Sequence, residues 1–228
     1  MMRIAILALS LSFSIPAFGF AADGSTTSAE VTYHFENPKL QPAIYTFLIR
    51  EDGSGHFHSE PGEAPPSDTD GITPQPQDRD IRIAEPLRKQ IFDYAHAHKY
   101  FGIHCDIGNE HIAFTGKHTF AYAGPAGQGS CTFNYAKDPV LEKLSGSMIA
   151  MAFTLEEGRR LTVQHTHSKL SLDAELETLQ EAAKDNRAQG LENIAPELQA
   201  IIDDENVMAR ARARAKTLLK TDPARASR

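Results

Sequence analysis

The chain carries only two cysteines, Cys105 and Cys131. They bracket a stretch from His104 to Tyr135, HCDIGNEHIAFTGKHTFAYAGPAGQGSCTFNY, that also holds the clearest strand pattern. Alternation puts Phe120 and Tyr122 on one face of a strand, and Cys131, Phe133 and Tyr135 on one face of the next. Ile112 and Phe114 predict a strand before them, with turns at Thr115-Gly116-Lys117 and at Gly124 to Gly129. A bond between Cys105 and Cys131 closes this meander and ties the segment after the preceding helix to the sheet. A loop of this length is worth about 3–4 kcal/mol in the chain-entropy model. The competing reading of the same residues is a thiol-active protein, with Cys105 activated by His104.

The bond requires an oxidising compartment, and the first residues agree with one. Arg3 supplies a positive n-region, Ile4 to Ile15 an apolar h-region, and Pro16 a break. Small residues follow, so a signal peptide over 1–21 is expected, cleaved after Gly19 or Ala21. The sequence therefore predicts a periplasmic or secreted protein with no membrane span after signal cleavage. Loss of Arg3 leaves 22 Lys and Arg against 30 Asp and Glu, from the 23 present in the whole chain. That acidic balance argues against a nucleic-acid partner, because phosphate neutralisation needs a basic surface.

The remaining chain reads as α+β. Residues 22–30 are small and polar, a disordered lead-in. An α+β domain is expected over 31–158. Val31, Tyr33 and Phe35 alternate as one strand, Ala43 to Arg50 forms a second, and the turn Asp52-Gly53-Ser54-Gly55 returns it into a third, His56 to Glu60. Residues 61–80 hold clustered prolines and acids with little apolar content, and predict a mobile surface loop. A helix runs from Glu85 to Phe101, with Leu87, Ile91, Tyr94 and Ala95 on one stripe and Gly102 as its stop. Asp138-Pro139 starts a second helix with Leu141, Leu144, Met148, Met151, Ala152 and Leu155 as its core stripe, widened by Ile149 and Phe153. Gly158 reads as its end and 159–170 as a linker or edge strand. From Ser171 the composition turns helical. Residues 171–220 predict a helical hairpin or three-helix segment, with an acidic first part facing a basic last helix, and 221–228 a disordered tail.

Histidine is abundant, with ten copies. His56/His58, His96/His98 and His165/His167 stand at i, i+2, a spacing that aims both rings one way on a strand and apart on a helix. Phe57 as the buried residue puts His56 and His58 outward. His165 and His167 are the better pair for zinc or copper, with a third donor from Asp106, Glu110 or His111. No HExxH, Cys/His zinc spacing, EF-hand loop, nucleophile elbow or S-x-x-K is present. Gly124 to Ser130 lacks the lysine of a phosphate-binding loop and reads as a hairpin turn. Arg210 and Arg214 are candidate docking residues for a cell-envelope protein partner. With no assembled catalytic set, the leading expectation is an exported binding or interaction module without enzymatic activity and without a cofactor. A histidine-based metal-binding protein or metallohydrolase is the alternative.

Overall fold

Antiparallel strands with one buried face need their apolar residues at alternate positions, a pattern clearest here in Val31, Tyr33 and Phe35 and in Tyr45, Phe47 and Ile49. The computed structural model describes residues 28–62, 72–108 and 112–221. The strands are β1 Glu30–Glu36, β2 Ile44–Arg50, β3 Ser54–Glu60, β4 Gln77–Arg82, β5 Lys117–Gly124 and β6 Gly127–Phe133. They form one antiparallel sheet in the order β4-β3-β2-β1-β5-β6. The helices are α1 Glu85–Ala97, α2 Pro139–His167, α3 Leu172–Lys184, α4 Ala195–Asp203 and α5 Ala209–Thr221. The α+β expectation is met.

Register stacks the inner face into cross-strand rows. Arg79, Phe57, Phe47, Tyr33, Phe120 and Cys131 make the central row, and Gln77, Ser59, Tyr45, Phe35, His118 and Phe133 the row at one end. The central aromatics are fully buried. Their rings lie 4.7 Å apart for Tyr33–Phe120 and 4.8 Å for Phe47–Phe57, the spacing at which aromatic pairs attract. Phe57 points inward, so His56 and His58 take the outer face, where they pair with Asp78, Asp80 and Glu60.

Helix α1 starts with Pro86 in its first turn and buries Ile91, Phe92, Tyr94 and Ala95. Beyond it the backbone is left-handed at Lys99, Tyr100 and Phe101, with φ of 53°, 57° and 65°. The turn expected of Gly102 is thus made by three residues that carry side chains. Phe101 is buried and stacks on Phe120 at 5.2 Å, while the Tyr100 ring occupies the space a side chain at Gly127 would need. Cys105 and Cys131 are bonded, with Cα atoms 6.0 Å apart, and both are buried.

Several expectations give way. Residues 61–80 are not all loop, because β4 starts at Gln77. Its inner-facing Gln77 and Arg79 find polar partners there, Gln77 on Glu156 at 2.9 Å and Arg79 on Glu197 at 2.9 Å. The rest of that call is divided, with 63–71 outside the described residues. Ile112 and Phe114 make no strand, and Phe114 is exposed. Strand β6 ends at Phe133, leaving Tyr135 half in solvent. Glu30, assigned to the lead-in, belongs to β1, and Thr221 to α5. The signal-peptide call on 1–21 and the remaining tail lie outside the described residues.

The largest correction concerns α2. Asp138 caps it by accepting a hydrogen bond from Val140 N at 2.8 Å, as the sequence predicts. It then continues through Gly158 to His167, 29 residues in all, or about 43 Å at 1.5 Å per residue. The linker or edge strand at 159–170 is therefore helix. Gly158 is in the helix interior because Ile194 packs against it with no room for a Cβ. Its propensity cost of about 1 kcal/mol is offset by that contact. Leu161 then shares a continuous core with Leu172, Leu176, Leu179, Ile194 and Leu198. Asn193 fastens this region to the sheet. Its side chain accepts from Arg82 N at 2.7 Å and donates to Arg82 O at 2.9 Å, which pairs the last residue of the edge strand β4.

Candidate ligand-binding cleft

Helix α2 runs along the end row of the sheet. Glu142, near its start, accepts from Ala136 N just beyond β6 at 2.8 Å, and Glu156 lies on Gln77 of β4. Between α2 and the row there is a cleft of about 540 Å³. Phe35, Tyr45 and His118 form its sheet side. Gly146, Ile149, Ala152 and Phe153 form the middle of its helix side, with Glu142 at one end and Glu156, Glu157 and Arg160 at the other. Leu40, Gln41 and Pro42 border it, joined by Thr115 and Tyr135. Ile149 and Phe153 were expected in the core. Phe153 packs against the core while lining this cleft, whereas Ile149 lines it and remains 42 % exposed.

The polar groups of the cleft are held mostly in neutral or compensated forms. Burial pushes His118 down to about 4, so its imidazole is uncharged at neutral pH. Its Nδ1 lies 2.7 Å from the hydroxyl of fully buried Tyr33, whose own pKa burial raises well above the usual phenol value. Arg159 holds Glu156 through several N–H bonds, the shortest 2.6 Å. Arg160 donates to Glu175 at 2.8 Å, and Gln164 donates to the same carboxylate at 2.8 Å.

Glu157 is the exception. It is 7 % exposed, and its Oε2 is buried with no hydrogen-bond partner among the described residues. Burial raises its pKa to about 9, helped by Glu175 nearby, whereas Arg160 acts in the other direction. Glu175 is drawn down to about 2 by the hydrogen bonds from Arg160, Glu157 and Gln164, against the effect of its own burial. At neutral pH the pair therefore holds one proton, on Glu157, directed toward Glu175.

A raised folded-state pKa makes a definite pH prediction. The contribution of Glu157 to stability is fully present below the unfolded carboxyl value, near 4.5, and is lost as pH rises toward about 9. Glu157→Gln keeps the shape and a donor toward Glu175 but cannot ionise. Urea midpoints of the two proteins are expected to diverge steadily between neutral and alkaline pH, with wild type falling faster. Parallel curves would show that Glu157 is not held protonated.

The structure separates the histidine-centred constellation. His165 and His167 are on α2, not on a strand, so their spacing aims them apart. His165 Nε2 lies 2.9 Å from Asp204 Oδ2, an oxygen it shares with Lys169, while His167 is exposed. Asp106 makes an isolated bridge to Ala136, far along the chain from that pair, at a shallow depression of about 490 Å³ with Phe114 and Lys117. Glu110 and His111 lie outside the described residues. Among the described residues no three His, Cys, Asp or Glu side chains gather in a way that holds a metal ion. Arg210 and Arg214 are engaged within the chain, on Asp173 at 2.6 and 3.0 Å and, for Arg214, on Glu177 at 2.7 Å. This is the attraction between acidic and basic helices that the sequence predicts.

Sequence reasoning missed Glu157 because it ended the helix at Gly158. With the helix continued, Thr154, Glu157, Leu161 and Gln164 form one buried stripe, and an acid on an apolar stripe is the signal of an unusual carboxyl. Among the described residues no helix is long and apolar enough to cross a membrane. Comparison with known protein families gives no match, and comparison with curated proteins gives none.

Proposed function

We propose that the chain is an exported, non-enzymatic binding protein whose cleft along α2 takes one extended, chain-like apolar ligand. The shape of the cleft carries this reading. Glu142 to Arg160 spans about 27 Å of helix, and the cleft follows that length with Gly146, Ile149, Ala152 and Phe153 between its charged ends. A long strip whose helix side is apolar between charged ends suits an extended chain better than a compact ring system. The walls are mainly apolar, with a few polar groups at the ends, the usual make-up of a small-molecule site.

An extended peptide fits less well. The strands under the cleft are β2, β1 and β5, each hydrogen-bonded on both sides. Helix α2 offers side chains only, so the backbone groups of a peptide would lie unpaired against apolar walls. Export is supported by the bonded cysteines and by the leader-like first residues.

Isothermal titration with straight-chain alcohols of increasing length tests the reading. Affinity is expected to rise with each added methylene, by at most about 0.8 kcal/mol per fully buried CH₂, and to level off once the cleft is full. No binding at any length, or affinity independent of length, would remove the proposal.

A further inference from the structure

We propose that the loops at the mouth of the cleft dock on a lipid bilayer whose head groups carry negative charge. The inference goes beyond the chain-binding reading and does not require it. The end of β1, the starts of β2 and β5 and the end of β6 lie together at one end of the sheet, where Glu36 pairs with Ile44 and Lys117, and His118 with Phe133. Hydrogen bonds tie the adjoining loops into one surface. Asn37 Nδ2 donates to Thr115 O at 2.9 Å, Thr115 N to Asn134 Oδ1 at 2.9 Å, and Ile107 N to Tyr135 O at 3.1 Å. These loops, with α2 opposite them, expose Leu40, Ile107, Phe114, Tyr135 and Ile149. Among the described residues, Val140, Leu170 and Met208 are the remaining exposed large apolar side chains. Apolar side chains grouped in this way mark an interaction site.

The charges decide which partner fits. The chain as a whole is acidic, with a net charge of −7, but this surface is not. Lys39, Lys137 and Lys143 are exposed and pair with no carboxylate among the described residues. The acids of the same segments, Glu36, Asp106, Asp138 and Glu142, are partly buried. Three of them are engaged, Glu36 with Lys117 at 3.8 Å, Asp138 on Val140 N and Glu142 on Ala136 N, the last two at 2.8 Å. Separate apolar tips with lysines between them suit a bilayer. The tips enter the head-group boundary, and the ammonium groups meet the anionic lipids. Tyr135 carries the amphipathic ring that is enriched at that depth. A second protein surface fits less well, because lysine is depleted at protein interfaces.

The test is flotation of the full chain with vesicles of phosphatidylcholine, with and without phosphatidylglycerol. Binding to the anionic vesicles is expected to be at least about tenfold tighter than to phosphatidylcholine alone, and to weaken as salt is added. Lys39→Glu combined with Lys137→Glu is expected to lower it by at least about tenfold, and Leu40→Ser combined with Phe114→Ser by a similar factor. All four positions are exposed, so melting temperatures are expected to stay at the wild-type value. Gly146→Phe, which fills the groove, is expected to keep vesicle binding. Its loss in that variant would mean that lipid enters the cleft, and would overturn the docking surface. No binding, equal binding to both vesicle types, or binding untouched by either pair of substitutions would overturn it as well. So would a dimer broken by Leu40→Ser with Phe114→Ser in a chain that ignores vesicles, which would assign the surface to a second copy. Failure of straight-chain alcohols to bind would remove the chain-binding reading and leave this one standing.

Discussion

Phe120→Ala is expected to cost about 3–5 kcal/mol of folding stability, the range for removing a fully buried phenylalanine from a packed core. Phe120 is 0 % exposed and sits at the crossing of three elements. Its ring lies 4.7 Å from that of Tyr33 of β1, tilted by 50°, it stacks on Phe101 of the left-handed turn at 5.2 Å, and it faces Cys131 in β6. Phe120 and Tyr33 belong to strands paired on both sides, which limits collapse into the space left behind. The residual cavity therefore adds to the lost transfer energy. A shift of this size is a large fraction of the 5–15 kcal/mol typical of a domain. Urea melts followed by tyrosine fluorescence and circular dichroism measure it. A loss below about 1 kcal/mol would mean that the row of rings is not the packed centre described above.

Reducing the Cys105–Cys131 bond, or replacing both cysteines with serine, is expected to cost about 3–4 kcal/mol in the chain-entropy model. The bond closes a separation of 26 residues. Its second effect is local. Lys99, Tyr100 and Phe101 occupy the left-handed region, which disfavours residues with a Cβ by roughly 1–2 kcal/mol each. Burial of Phe101, stacking of Tyr100 on Tyr122 at 4.9 Å, and the bond four residues further on hold the turn in place. Amide exchange over 99–106 is therefore expected to speed up on reduction more than exchange over β2 or β3. Unchanged melts under reducing and oxidising conditions would show that the bond has no part in holding the fold.

The sheet was legible because its rule is local. Val31, Tyr33 and Phe35 alternate with polar residues, and the rings of Tyr45 and Phe47 recur at the same two-residue spacing, so the buried face can be read from parity. The cap at Asp138 and the charge attraction between α3 and α5 were legible for the same reason. What failed depended on distant partners. Gly158 looks like a stop until Ile194 is placed against it. Gln77 and Arg79 look like loop residues until Glu156 and Glu197 arrive from helices. The left-handed turn shows no glycine at the positions that adopt it. The cleft was invisible for a related reason. Ile149 and Phe153 both satisfy a core stripe, and only the path of α2 across the row of Tyr45, Phe35 and His118 leaves Ile149 uncovered and Phe153 at the edge of the core.

Gly146 offers the most direct measurement of whether that uncovered groove is a binding site. It lines the cleft on α2, and a Cβ built there meets no atom within 4 Å. Glycine inside a helix costs about 1 kcal/mol relative to alanine, so substitution here does not endanger the fold. Gly146→Phe places a ring in the groove and leaves the sheet untouched. The decanol affinity of this variant, measured beside that of wild type and of Gly146→Ala, is expected to fall by at least about tenfold, with a melting temperature no lower than wild type. Undiminished decanol binding by a well-folded Gly146→Phe protein would contradict the assignment of the groove as the ligand site.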